Sequence, residues 1–376
     1  MAGTDITRLL EAIQKKIDAV DSSASSGDLL RLLSSVRQAG TGSLLSYTSA
    51  SQFPNLIDGT SDPEMIGYNI EDGKLYFQQD AWNYKTTPPF QGSNHGYMSG
   101  GIGPSGNTDV IDKFSFTSNG NATDVGNLTS TSGEGGAGQS STTNGYANSF
   151  QTFSDKIDKI SFASGGDATT SGNLPTGLEA LSGQSSTASG YASGSGNIYK
   201  FPFAADADAV DVADIPINKT RLAGQSSSSD GYTSGGYGPP VTSIQKFPFA
   251  ADVNSVEVGD LSVSRAFQSG QNSSTDGYNS GGSAASLFNF SDTIDKFPFA
   301  THGTATDVGN LSAARGLYVT GQSSTTDGYA CGGRALPAPA YSAQSVIDKF
   351  SFASNGNAAN IGSLTIARYG SAGQQH

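Results

Sequence analysis

One phrase recurs six times along the last three quarters of the chain, and little else can be folded from such a pattern than a stack or a ring of small β-sheets. The copies read GSNHGYMSGG (92–101), GQSSTTNGYANS (138–149), GQSSTASGYASG (183–194), GQSSSSDGYTSGG (224–236), GQNSSTDGYNSGG (270–282) and GQSSTTDGYACGG (321–333). Their tyrosines, Tyr97, Tyr146, Tyr191, Tyr232, Tyr278 and Tyr329, are spaced by 49, 45, 41, 46 and 51 residues. A second phrase follows each copy: VIDKFSF, KIDKISF, IYKFPF, SIQKFPF, TIDKFPF and VIDKFSF, closed by Phe116, Phe162, Phe203, Phe249, Phe299 and Phe352. A third phrase, of the type ATDVGNLT, completes every unit.

Each unit therefore offers three to four short strands, separated by turns rich in Gly, Ser, Asn and Asp. No segment here is long enough to be a crossover helix, which excludes parallel α/β folds. A period in the forties with four strands per unit predicts an all-β fold, a six-bladed β-propeller over 89–376. An elongated β-solenoid is the alternative that the repeat leaves open. The 49 glycines alone could signal disorder, but 19 Phe and 15 Tyr at regular intervals do not suit a disordered chain.

The two ends of the chain carry half-copies. The final IARYGSAGQQH begins a seventh GQ phrase and stops, while the first copy lacks the full GQSS lead. This predicts that the C-terminal strand completes the first blade and leaves no open edge. The GYxSGG strand, with little side-chain volume after its tyrosine, is expected nearest the axis. The Tyr and Phe rings are expected to wedge between neighbouring sheets. Pro202, Pro248 and Pro298 cannot donate into a ladder, so their position is expected to face an unpaired side or a bulge.

Residues 1–88 read differently, as a small α+β region. Ile6, Leu9, Leu10, Ile13, Ile17 and Val20 recur at steps of three and four and predict an amphipathic helix over 5–20. A second helix is expected from 26 or 27 to about 38. A β-hairpin is expected within 65–84, with Asp72-Gly73 at its turn. The helices either pack on their own domain or serve as an oligomerisation and docking element; helices this short must pack on something.

The net charge is −13, and it divides as −4 over 1–88 (7 basic, 11 acidic) and −9 over the rest (13 basic, 22 acidic). No basic run exists, so nucleic acid and anionic membrane surfaces are not expected partners. No apolar stretch reaches the length of a membrane span, and no export signal is expected at the N-terminus.

Candidates for chemistry are sparse. The three histidines, His95, His302 and His376, fall in turns or at the terminus and suit no zinc site. Cys331 replaces a serine-like position and reads as a small buried thiol. The IDK aspartates Asp112, Asp158, Asp295 and Asp348 repeat with the scaffold, which predicts structural work such as turn hydrogen bonds or pairing with the adjacent lysines. The cluster Asp206, Asp208, Asp211 and Asp214 reads as a solvated acidic turn, with a calcium site as the alternative. No cofactor, metal or enzymatic activity is expected.

The paired glycines at Gly100-Gly101, Gly235-Gly236, Gly281-Gly282 and Gly332-Gly333 resemble Kelch and galactose-oxidase-type propellers, although the late tryptophan of that pattern is absent. Units such as IDKFPFA, ATDVGNLT and GQSSTTDGY are similar to repeats of virion-associated propeller proteins of marine tailed bacteriophages. The segment DGKLYFQQDAWN (72–83) resembles a hairpin motif of tail-fibre and collar proteins. These resemblances imply a virion component at the tail or a fibre attachment point. Its partners would be other virion proteins and further copies of itself. A host-surface glycan or receptor binder and an intracellular Kelch-type interaction module are the alternatives.

Overall fold

The computed structural model describes residues 45–47, 66–69, 74–77 and 91–376, apart from 149–154, 176–179, 217, 285–287 and 336–341. The chain divides into two compact units, Met1–Lys85 and Thr86–His376. In the first unit Ile66–Asn69 pairs antiparallel with Lys74–Phe77, a hairpin at the expected place. A third strand, Leu45–Tyr47, which the sequence did not single out, joins it in parallel. The expected helices, with Ile6, Leu9, Leu10, Ile13, Ile17 and Val20, lie outside the described residues.

The second unit is a β-propeller-like repeat of antiparallel sheets, without a helix among the described residues. Each repeat supplies an inner strand, a second, a third and a fourth. In the second repeat these are Ala137–Ser140, Asn144–Asn148, Lys156–Ser161 and Thr169–Asn173. The inner strands of the third to sixth repeats are Ser182–Ser185, Ala223–Ser226, Ser269–Asn272 and Thr320–Ser323. The first sheet is built from both ends of the chain. Its inner strand is the C-terminal Ala372–Gln375, paired with His95–Ser99 in the register Gln374 opposite Tyr97.

The innermost strand carries the GQ phrase, and the GYxSGG strand is second. This corrects the expectation that GYxSGG lies nearest the axis. Space decides the placement. A Cβ at Gly138 would overlap the carbonyl of Gly373, and Gly183 stands in the same way against Gly138. Gly224 stands against Gly183, Gly270 against Gly224, Gly321 against Gly270 and Gly373 against Gly321, which returns the succession to its start.

Two further contacts repeat around the same succession. The buried Gln139 donates through Nε2 to the Tyr191 carbonyl of the next repeat. Gln184, Gln225, Gln271, Gln322 and Gln374 donate likewise to the carbonyls of Tyr232, Tyr278, Tyr329, Tyr97 and Tyr146. Each of the six tyrosines is at most 2% exposed. Its ring lies against the closing phenylalanine of the following repeat: Tyr97 on Phe162, Tyr146 on Phe203, Tyr191 on Phe249, Tyr232 on Phe299, Tyr278 on Phe352 and Tyr329 on Phe116, with centroids 4.6–5.0 Å apart. Aromatic pairs at this separation add to the free energy of burial, and burial pushes the Tyr97 phenol up to about 12.

The prolines sit where no donor is needed. Pro202 lies opposite Ser189, yet the backbone bond at this end comes from the next residue, Phe203 N to Ala188 O. Its ring nitrogen faces the outer side, where the fourth strand's pairing has already ended at Lys200.

Candidate functional site

Three buried ion pairs join successive repeats. Arg265 lies near the end of the fourth repeat's fourth strand, Val256–Ala266, and Arg315 and Arg368 follow the fourth strands of the fifth and sixth repeats. Each reaches the IDK aspartate of the next repeat: Arg265 to Asp295 (2.5 Å), Arg315 to Asp348 (2.6 Å) and Arg368 to Asp112 (3.1 Å), all at most 1% exposed. The same carboxylates accept from the main chain and hydroxyl of Ser262, Ser312 and Thr365. The partner of these aspartates is thus an arginine one repeat back, not the neighbouring lysine. The fourth member, Asp158, is as buried, but only Thr129 donates to it and no arginine reaches it among the described residues. Burial raises its carboxyl above the ordinary 3.8.

Other candidates are occupied by the scaffold. Asp206 pairs with Lys159 and accepts from Ser171, and Asp208 accepts from Asn173 of the preceding repeat. The Lys159 contact holds Asp206 below the carboxylate range. No group of three or more His, Cys, Asp or Glu among the described residues could hold a metal ion. Cys331 is fully buried beside Gln322, and burial pushes its thiol up. His376 is more than a loose terminus. It exchanges backbone bonds with His95 and stacks on Phe162 at 4.9 Å.

What the scaffold does not explain lies in the connections that lead into the inner strands. The residue three positions before each inner-strand glycine has positive φ in all six repeats: Gly135 (76°), Ala180 (53°), Arg221 (60°), Phe267 (63°), Tyr318 (65°) and Gly370 (77°). Backbone bonds link much of this set, from Arg221 N to Ala180 O, Phe267 N to Arg221 O, Gly370 N to Tyr318 O and Gly136 N to Gly370 O. Glycine takes this conformation freely, whereas a residue with a Cβ loses roughly 1–2 kcal/mol. Three consecutive repeats nevertheless place Arg, Phe and Tyr there.

Those three side chains form one cluster. The Arg221 guanidinium lies 5.1 Å from the Tyr237 ring centroid and 5.0 Å from that of Phe267. Phe267 meets Tyr318 edge-on at 4.7 Å, and Arg221 Nε donates to the Tyr318 hydroxyl at 2.9 Å. The cluster borders a cavity of about 60 Å³, whose wall also includes Gln268 and Val319. Many of these wall residues also border a second cavity of about 90 Å³, lined by the inner-strand glycines. Gln268 is 4% exposed. Its Nε2 donates to the Ser234 carbonyl, which fixes the amide, and its Oε1 has no hydrogen-bond partner among the described residues.

Sequence reading did not find this cluster or the six glutamines. The glutamines were visible as an unvarying GQ. The cluster was not, because Gly, Ala, Arg, Phe, Tyr and Gly share no letter. No protein-family model matches the chain, and no curated protein matches it.

Proposed function

We propose that residues 89–376 are a closed six-bladed β-propeller displayed as a recognition module on a larger assembly, and that the assembly is a tailed-virus particle in which 1–88 is the anchor. The observation that carries the recognition role is the half-ring at the channel mouth. Arg221, Phe267 and Tyr318 hold a backbone conformation that the other three repeats leave to glycine and alanine. Strain of this kind persists where the side chain has work beyond folding.

Closure is supported by the glycine, glutamine and tyrosine contacts, each of which runs through six repeats and returns to the first. The reading is of a binder and not an enzyme, because the buried titratable side chains are engaged in joining repeats. The placement on a virion, at the tail or a fibre attachment point, rests on the resemblance of the repeats and of the 72–83 segment.

Mass spectrometry of purified particles tests the placement, and light scattering of the full chain beside residues 86–376 tests the anchor. The expected result is a protein present in stoichiometric amounts, whose oligomers are lost with residues 1–85. Absence from intact particles, or identical monomers, would remove the anchoring role.

A further inference from the structure

We propose that the channel mouth is a binding site for an acidic sugar, the carboxylate-bearing terminal residue of a polysaccharide. The inference rests on the recognition reading above and adds the chemistry of the ligand.

Two polar groups define that chemistry. The first is the Arg221 guanidinium. Its Nε is engaged by Tyr318 and the rings of Tyr237 and Phe267, themselves 5.7 Å apart, lie beside it, while no described carboxylate pairs with it. Its two terminal nitrogens present a planar, pre-ordered fork, the geometry that binds a carboxylate through two parallel hydrogen bonds. The second is Gln268 Oε1, an acceptor buried at the wall of the same cavity and lacking a donor. A buried acceptor without a donor is costly, so a ligand that supplies one gains more than a solvent-exposed contact would give. The occupant must therefore carry an anion and, beside it, a hydrogen-bond donor.

A uronic-acid end group has both, a carboxylate and ring hydroxyls. Inorganic phosphate keeps an O–H at neutral pH but has no hydroxylated ring to meet the rest of the wall. A peptide C-terminus has a donor in its amide, but its last side chain would want an apolar recess. The larger, adjoining cavity is lined mainly by glycine main chain, Ser182, Ser269, Thr320 and Ser371, with Leu181, Leu222 and Val319 also bordering it. Such a wall suits a polyhydroxylated ligand. The other three positions, Gly135, Ala180 and Gly370, carry no large side chain.

The test is calorimetric titration of the full chain with glucuronate, beside glucose, acetate, inorganic phosphate and a short free-acid peptide. Glucuronate is expected to bind at least tenfold more tightly than any of the four. Arg221→Gln and Gln268→Met are each expected to weaken it at least tenfold, and Arg221→Lys to restore only part of the loss. Tyr318→Phe, which removes one hydroxyl, is expected to weaken binding without unfolding. It keeps the test decisive if Arg221→Gln does not fold. Asp211→Asn, far along an outer strand, should leave affinity unchanged. Equal binding of acetate and glucuronate, preference for phosphate or the peptide, or wild-type affinity in Arg221→Gln would each overturn the proposal. A chain found in particles that ignores glucuronate would refute this site alone. A chain that binds glucuronate but is absent from particles would refute only the virion placement.

Discussion

Replacing Asp295 by Asn and replacing Asp158 by Asn should move stability in opposite directions, although both residues stand in the IDK phrase and both are fully buried. Asp295 faces Arg265 at 2.5 Å with the Ser262 main chain and hydroxyl on its remaining lone pairs. The Asp295→Asn change would leave the guanidinium buried and uncompensated, which costs about 3–5 kcal/mol. For a unit of about 290 residues, the unfolding entropy is near 0.6 kcal/mol/K, so the midpoint should fall by about 5–8 °C. Asp158 has only Thr129. Its carboxyl is raised by burial, so the native state holds the proton more tightly than the unfolded chain does. Stability is therefore lost as pH rises from 3.8 through the raised value, and the Asp158→Asn change should recover it at pH 7. The gain should vanish below pH 3.8. Thermal unfolding by circular dichroism at pH 7 and pH 3.5 reads both variants. A fall in midpoint for both at pH 7, of similar size, would refute the reasoning. The double replacement Arg265→Met with Asp295→Leu should cost less than Asp295→Asn alone.

Deleting residues 372–376 removes the inner strand of the first sheet and the Gln374 bond to Tyr146, and should lower the unfolding midpoint of the whole unit; an unchanged midpoint would mean that the unit does not depend on this strand. His95 and His376 are both lowered from 6.5, first by burial and then by Lys113, so their folded forms resist protonation and stability should decline as pH falls through 6.5. The variant His95→Gln with His376→Gln should flatten that decline in a pH series of unfolding curves. Gly138→Ala should destabilise strongly, because its Cβ would overlap the Gly373 carbonyl, whereas Gly356→Ala, with nothing near its Cβ, should be close to neutral in the same assay.

The period, the strand set and the aromatic phrases could be read in the letters because packed aromatics recur at the spacing of the repeat. The identity of the innermost strand could not. Small residues follow the tyrosine in GYxSGG, so side-chain volume points to that strand, whereas it is the glycine of the GQ phrase that stands directly against the same glycine of the next repeat. Crowding there decides the placement. The arginines at or after the ends of the later fourth strands and the aspartates of IDK were each visible. Their pairing was hidden by an offset of one repeat, since Arg265 belongs with Asp295 and Arg368 with Asp112. The same offset matches two absences: no arginine follows the second repeat, and the third has Tyr199 where the first, second, fifth and sixth have aspartate. The half-ring left no trace because positive φ at Arg221, Phe267 and Tyr318 is imposed by the connection, not by residue type.

The two ends of the repeat unit are constrained unequally, and this is what makes one of them the place to look for recognition. At the end where third strands turn into fourth strands, the loops are tied to the preceding repeat. Asp167 accepts from Asn127, Asp208 from Asn173, Asn254 from Asp214, Asn357 from Asn310 and Asn121 from Ser363. A change there disturbs a contact between repeats. At the other end, the connections into the inner strands share a backbone conformation and short bonds made by the main chain alone. Side-chain size differs between repeats at that end: a Cβ at Gly135 or Gly370 would overlap the main chain of Ala180 or Glu134, whereas Arg221, Phe267 and Tyr318 carry large side chains. A sixfold scaffold has no use for a difference confined to three adjacent repeats. A ligand that touches one side of the axis does, and the orientation of Arg221 and Gln268 toward a common cavity gives that side its chemistry.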